Sequence, residues 1–88
     1  MTRYTVKIRT KALKALGALP RATRDEIQRA IDALAEEPRP AGVKALQGRK
    51  RLWRVRLGAY RVVYSIQDEV LLVLVVRIGH RRDVYRGM

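Results

Sequence analysis

The sequence predicts an α+β domain in the order β-α-α-β-β-β, a mainly antiparallel sheet with a helical hairpin packed on one face. Three observations predict it. Apolar residues recur at helical spacing in two runs before Leu34, they alternate with period two from Leu52 onward, and Gly58-Ala59 separates two such alternating runs. The 88 residues are expected to form one domain over 1–88, with a hydrophobic fraction of 48% that suffices for a modest core.

Tyr4-Thr5-Val6-Lys7-Ile8-Arg9 alternates and reads as a half-buried strand. Thr10 is placed to cap a first helix whose apolar side carries Ala12, Leu13, Leu16 and Leu19. Pro20 ends that helix or starts the next. Thr23 and Glu26 then make a capping-box pattern, with Ile27, Ala30, Ile31 and Leu34 following at i, i+3, i+4 and i+7. The stiff segment Pro38-Arg39-Pro40-Ala41-Gly42 breaks the second helix.

Gly58-Ala59 suits a two-residue hairpin with glycine at the first central position. That turn opposes Leu57 to Tyr60, Arg56 to Arg61, Val55 to Val62 and Trp53 to Tyr64. Trp53, Val55, Leu57, Tyr60, Val62 and Tyr64 then share the core face, and Arg54, Arg56 and Arg61 share the other. Arginines placed directly across an antiparallel pair repel. The nearest acids in sequence, Asp68 and Glu69, fall in the next turn, so an anion-binding cleft is the better account of the pair. Apolar Val63 on the same face suggests that a partner covers part of it. The last strand, Val70 to Ile78, is apolar on both faces and should lie centrally. A two-residue turn at Asp68-Glu69 would send Arg77 into the core, so a longer turn or a bulge is expected.

Charge narrows the function. Net charge is +12, and 15 of the 20 cations are arginine, whose planar fork suits phosphate. The excess is +4 through Val43 and +8 beyond it, so it concentrates in the strand-rich part, as a polyanion partner requires. With no cysteine and a single histidine, a thiolate site, a disulfide framework and a metal shell are all out of reach, and no cofactor is expected. No apolar run is long enough for a membrane span, and the N-terminal charges precede no apolar signal segment; the expectation is a cytoplasmic protein without membrane contact.

Catalysis with this inventory must use arginine, tyrosine and His80. Metal-free RNA cleavage is a natural task for such a set, because the RNA 2′-OH is itself the nucleophile. The protein then orients it, neutralises the phosphate and manages two protons. The candidate catalytic residues are Arg54, Arg56, Arg61, His80, Arg81 and Tyr85. His80 is the ordinary acid–base group, or else a solvated residue just past a strand end. Tyr85 stacks on a base or anchors the tail. Lys44, Arg49, Lys50, Arg51, Arg77 and Arg82 are further cations expected to hold RNA.

Several segments in order carry a family resemblance: Tyr4-Thr5-Val6, Leu19-Pro20, Pro38-Arg39-Pro40, Lys44-Ala45-Leu46-Gln47-Gly48, the hairpin Trp53 to Tyr64, and Ile78-Gly79-His80-Arg81-Arg82-Asp83-Val84-Tyr85. Over essentially the whole chain the sequence resembles the RelE/ParE superfamily of toxins. Its RelE branch implies a ribosome-dependent mRNA endonuclease that leaves a 2′,3′-cyclic phosphate. The resemblance also implies a cognate RelB-like antitoxin, acidic and partly helical, with operator DNA bound only as the toxin–antitoxin complex. By position, Arg61 and Arg81 match the phosphate-stabilising and acid-role arginines, and Tyr85 the substrate-orienting tyrosine. Arg54 and Arg56 stand where well-known members carry lysines. Arginine essentially cannot give up its proton, so a base role there is doubtful and slow activity is expected. The ParE branch implies the alternative, gyrase inhibition without RNA cleavage, although its members lack the full cationic and tyrosine set.

Overall fold

The period-two runs form strands and the 3.6-period runs form helices. The computed structural model describes residues 3–48 and 51–86. The chain runs through β1 (Thr5–Ile8), α1 (Thr10–Gly17), α2 (Arg21–Ala33), β2 (Lys44–Ala45), β3 (Leu52–Leu57), β4 (Tyr60–Gln67) and β5 (Leu72–His80), then a 3-10 turn at Asp83–Tyr85. The sheet order is β1-β5-β4-β3-β2, antiparallel except for the parallel β1–β5 pair. This is the expected α+β class, with one strand the sequence did not announce. Two residues, Lys44 and Ala45, are too few to show a period, yet they extend the edge by pairing with Arg54 and Trp53.

The helices cover one sheet face. Ala12 and Leu16 of α1, with Ile27, Ile31 and Leu34 of α2 and its end, pack over Val62, Tyr64, Ile66, Val73, Val75 and Ile78. Leu13 was expected on the apolar side of α1 but is 52% exposed. Neither expected helix cap forms. The Leu13 N–H donates to the Arg9 carbonyl at 2.8 Å, which makes Arg9 the cap and puts Thr10 already inside α1. The Arg24 N–H likewise donates to the Pro20 carbonyl at 2.9 Å. The α2 helix therefore starts at Arg21, and Thr23 lies too deep to cap it. Pro20, read as an end or a start, caps the start.

The hairpin register is the one the turn demands: Leu57 opposes Tyr60, Arg56 opposes Arg61, Val55 opposes Val62 and Trp53 opposes Tyr64. Gly58 has φ +60 while Ala59 does not enter the left-handed region, as a glycine-first two-residue turn requires. β5 lies between β1 and β4, as its two apolar faces require. A longer turn or a bulge was expected at Asp68-Glu69; the longer turn is there, and a bulge also occurs, farther along the pairing with β4. Residues 68–71 make a longer turn, and the register then slips by one between Val63 and Tyr64, leaving Val76 without an opposite residue. Arg77 thereby pairs with Val63 rather than Val62, and leaves the core face.

A polar clasp closes the far end of the sheet. Arg39 grips Asp68 with Nη1–Oδ1 at 3.2 Å and Nη2–Oδ2 at 2.9 Å, and the Tyr4 hydroxyl donates to Oδ1 at 2.5 Å. The Arg39 guanidinium also lies 5.1 Å from the centre of the Trp53 ring. The hydrogen bond from Arg39, then that from Tyr4, holds the Asp68 carboxyl at about 2 against an ordinary 3.8. A depressed carboxylate contributes stability that is present above the unfolded value and disappears as pH falls through the folded one. Acid unfolding followed by circular dichroism should therefore lose stability between pH 4 and 2, and Asp68→Asn should flatten that segment. Because half of the Asp68 side chain is exposed, high salt should shrink the difference.

Candidate functional site

The face opposite the helices carries the cations. Arg54, Arg56 and Arg61 point there from the hairpin, and Lys44 joins them beside Arg54 on the edge strand. The chain folds back over the same face after β5. The Arg81 N–H donates to the Ala59 carbonyl at 2.8 Å, and the buried Val84 packs directly over Gly79. Val63 is fully buried on this face, where the 3-10 turn packs against β4 and β5. The cover for Val63, which the sequence suggested a partner would supply, is thus the chain's own tail.

Tail and hairpin together enclose an open groove of about 620 Å³ lined by Leu46, Arg54, Arg61, Arg81, Arg82 and Tyr85. Arg61 forms its floor. Only 8% exposed, it donates from Nη1 to the carbonyls of Gly58 at 3.1 Å and Tyr60 at 3.0 Å. Its Nε and Nη2 make no hydrogen bond with a described residue, and no buried side-chain nitrogen is left sealed without a partner. Arg61 itself lines the groove. Burial above all, then repulsion from Arg56 and Arg54, pulls the Arg61 guanidinium below its ordinary value, with Tyr85 acting the other way and Arg81 adding to the drop. An arginine so placed still keeps its proton. No described carboxylate serves it as a counter-ion, and an anion in the groove would supply one.

Among the described residues no carboxylate lines the groove. Of the acids on the strand-rich side, Asp68 is held by Arg39, Glu69 faces Arg51 at 3.4 Å and Asp83 faces Arg86 at 3.4 Å. Among the described residues no three His, Asp or Glu stand close enough to hold a metal ion. Guanidinium groups beside a tyrosine, with no described acid to compete, have the chemistry to hold a phosphate.

The family profile for the ParE toxin of type II toxin–antitoxin systems (parDE) matches residues 6–85. The chain belongs to the RelE/ParE superfamily of type II toxins. The toxin is 34% identical to toxin RelG of Mycobacterium tuberculosis over 84 residues, which cover 94% of this chain and 97% of that one. It is 29% identical to the mRNA interferase toxin RelE of Escherichia coli K12 over 86 residues, covering 93% and 90%. Its fold matches a chain of the archaeal RelE–RelB complex from Pyrococcus horikoshii with a TM-score of 0.80, 36% identity and coverage of 92% and 97%.

The toxin brings together four of the six candidate catalytic residues, Arg54, Arg61, Arg81 and Tyr85, along the groove. Arg56 stands beside them, across the ladder from Arg61. His80 does not join them. It pairs with Tyr60 on the helix-side face and meets that ring edge-on, with centroids 5.8 Å apart. Of the cations expected to hold RNA, Arg82 lines the groove and Lys44 flanks it. Arg51 pairs with Glu69 beyond the start of β3, and Arg77 turns inward to the tail's carbonyls. Arg49 and Lys50 lie outside the described residues. Leu46 was not foreseen. It is brought in by the bond from its N–H to the Leu52 carbonyl at 2.9 Å, and a lone leucine after a two-residue strand leaves no sequence signal.

Proposed function

We propose that this toxin is a ribosome-dependent endoribonuclease that cuts mRNA by attack of a 2′-OH on the adjacent phosphate. The observation that carries the reading is the groove itself: Arg54, Arg61, Arg81 and Arg82 converge with Tyr85 where no described carboxylate competes. The 2′-oxygen attacks phosphorus and the 5′-oxygen leaves, giving a 2′,3′-cyclic phosphate and a 5′-hydroxyl end. Arg61 and Arg54 hold the phosphate oxygens as negative charge builds on them. Arg81 stands at the leaving oxygen, and Tyr85 orients the nucleotide by stacking or hydrogen bonding. The name mRNA interferase carried by the E. coli relative supports the same reaction class.

With no histidine or carboxylate among the described residues that line the groove, solvent accepts the 2′-proton, and the ribosome supplies the orientation that a small open groove lacks. The cleavage rate should then rise smoothly with pH, without an inflection near the ordinary imidazole value of about 6.5. A general base is worth about 10² to 10⁴ in rate, so a loss of that size in His80→Ala would contradict the solvent route. The reaction itself is tested with purified toxin, ribosomes stalled on a message and end-group analysis. Cyclic phosphate ends are expected, and a 2′-deoxy nucleotide at the cut site should abolish cleavage.

A RelB-type antitoxin is the expected inhibitor, since the matched archaeal structure is a RelE–RelB complex and the charge of +12 calls for an acidic partner. Operator DNA is then met only through the toxin–antitoxin complex, and an mRNA substrate places the toxin in the cytoplasm. A second reading, gyrase inhibition without RNA cleavage, is favoured by the ParE family match alone.

A further inference from the structure

Arg77 stands in β5 across the ladder from Val63, on the groove's face of the sheet, and it points at the protein rather than at solvent. Its Nη1 donates to the carbonyl of Val84 at 3.4 Å and to that of Arg86. Those two carbonyls flank Tyr85. The turn Asp83–Tyr85 and its cap Arg86 are closed by one backbone bond, from the Arg86 N–H to the Asp83 carbonyl at 3.1 Å, and by the exposed Asp83–Arg86 ion pair at 3.4 Å. A single 3-10 turn does not hold its own geometry. On the sheet the tail is held by the Arg81 N–H to Ala59 carbonyl bond and by Val84 packed over Gly79.

We propose that Arg77 is a positioning residue for the groove: by donating to the carbonyls on either side of Tyr85, it locks the C-terminal turn to β5 and sets Tyr85 opposite Arg61. A guanidinium suits the task, since its rigid fork donates to carbonyls without needing an acid. The consequence for activity rests on the endoribonuclease reading; the consequence for the turn does not.

Two measurements on the purified toxin test it, with Arg77→Met and Arg77→Lys. In amide hydrogen exchange, Arg77→Met should lose protection at the Arg86 amide while the amides of β4 and β5 keep theirs, and Arg77→Lys should recover part of it. In ribosome-dependent cleavage, Arg77→Met should lower kcat toward the roughly hundredfold loss that a 1 Å misplacement produces, with KM unchanged. Unchanged protection at Arg86 overturns the proposal. So does a raised KM with the salt dependence of RNA binding weakened by about one phosphate contact, because Arg77 would then be holding RNA. If Arg77→Met loosens the sheet as well, Arg77→Lys decides. A protected Arg86 amide in that variant supports the proposal, and an unprotected one overturns it. If the wild-type toxin cleaves no RNA, the endoribonuclease reading fails and the exchange result alone decides the role of Arg77.

Discussion

Arg61→Ala is expected to lower the rate of mRNA cleavage by about 10²- to 10³-fold, the loss that follows removal of one pre-aimed donor from a developing anion. Its stability should move little, or rise. The wild-type side chain is buried, faces Arg56 across the ladder, and has no described carboxylate to offset it. Removing it relieves desolvation and repulsion, at the expense of two bonds to the Gly58 and Tyr60 carbonyls. On the endoribonuclease reading, a buried cation with no described counter-ion gives up stability for function. Arg61→Lys should fall between the two, because an ammonium restores the charge without the fork. Steady-state cleavage and thermal melting, measured on the same preparations, check both halves. Full activity in Arg61→Ala would remove Arg61 from the reaction; a collapse of the melting temperature would show that its role is structural.

Tyr64→Ala should produce the largest loss of stability. Tyr64 is completely buried at the centre of the sheet, between Trp53 of β3 and Val75 of β5. Its hydroxyl donates to the Pro38 carbonyl at 2.7 Å, tying the loop after α2 to the core. Truncating a buried aromatic costs about 3–5 kcal/mol, against a total of about 5–15 kcal/mol for a typical domain. Tyr64→Ala is therefore expected to be largely unfolded at 37 °C. Tyr64→Phe separates the two contributions: it keeps the ring and strands the carbonyl, for a loss of about 1–3 kcal/mol. Urea denaturation gives both values. Because Tyr64 lies on the far face from the groove, Tyr64→Phe should cleave like the wild type wherever it is folded.

The hairpin was the legible part of the site. Glycine followed by alanine between alternating runs admits one register, and that register separates Trp53, Val55 and Tyr64 from Arg54, Arg56 and Arg61. The last strand was harder, because face assignment depends on parity and one unpaired residue reverses it. With Val76 bulged, Arg77 leaves the core and His80 leaves the arginine face. The sequence showed that Arg77 could not stay in the core, but not that the same slip would carry His80 away. The tail was illegible for another reason. The seating of Val84 over Gly79 and the bonds from Arg77 to the Val84 and Arg86 carbonyls are tertiary contacts without periodicity. They turn the expected partner surface at Val63 into an intramolecular one. The helix caps failed because Arg9 and Pro20 carbonyls begin the ladders before the expected side chains are reached.

Primer extension on cellular mRNA after induction of the toxin tests the central claim, that the arginine groove grips a scissile phosphate, most directly. New 5′ ends within translated message should appear with the wild type and be lost with Arg61→Ala and Arg81→Ala. Intact message accompanied by gyrase-dependent DNA breaks would contradict it and establish the ParE-type reading instead.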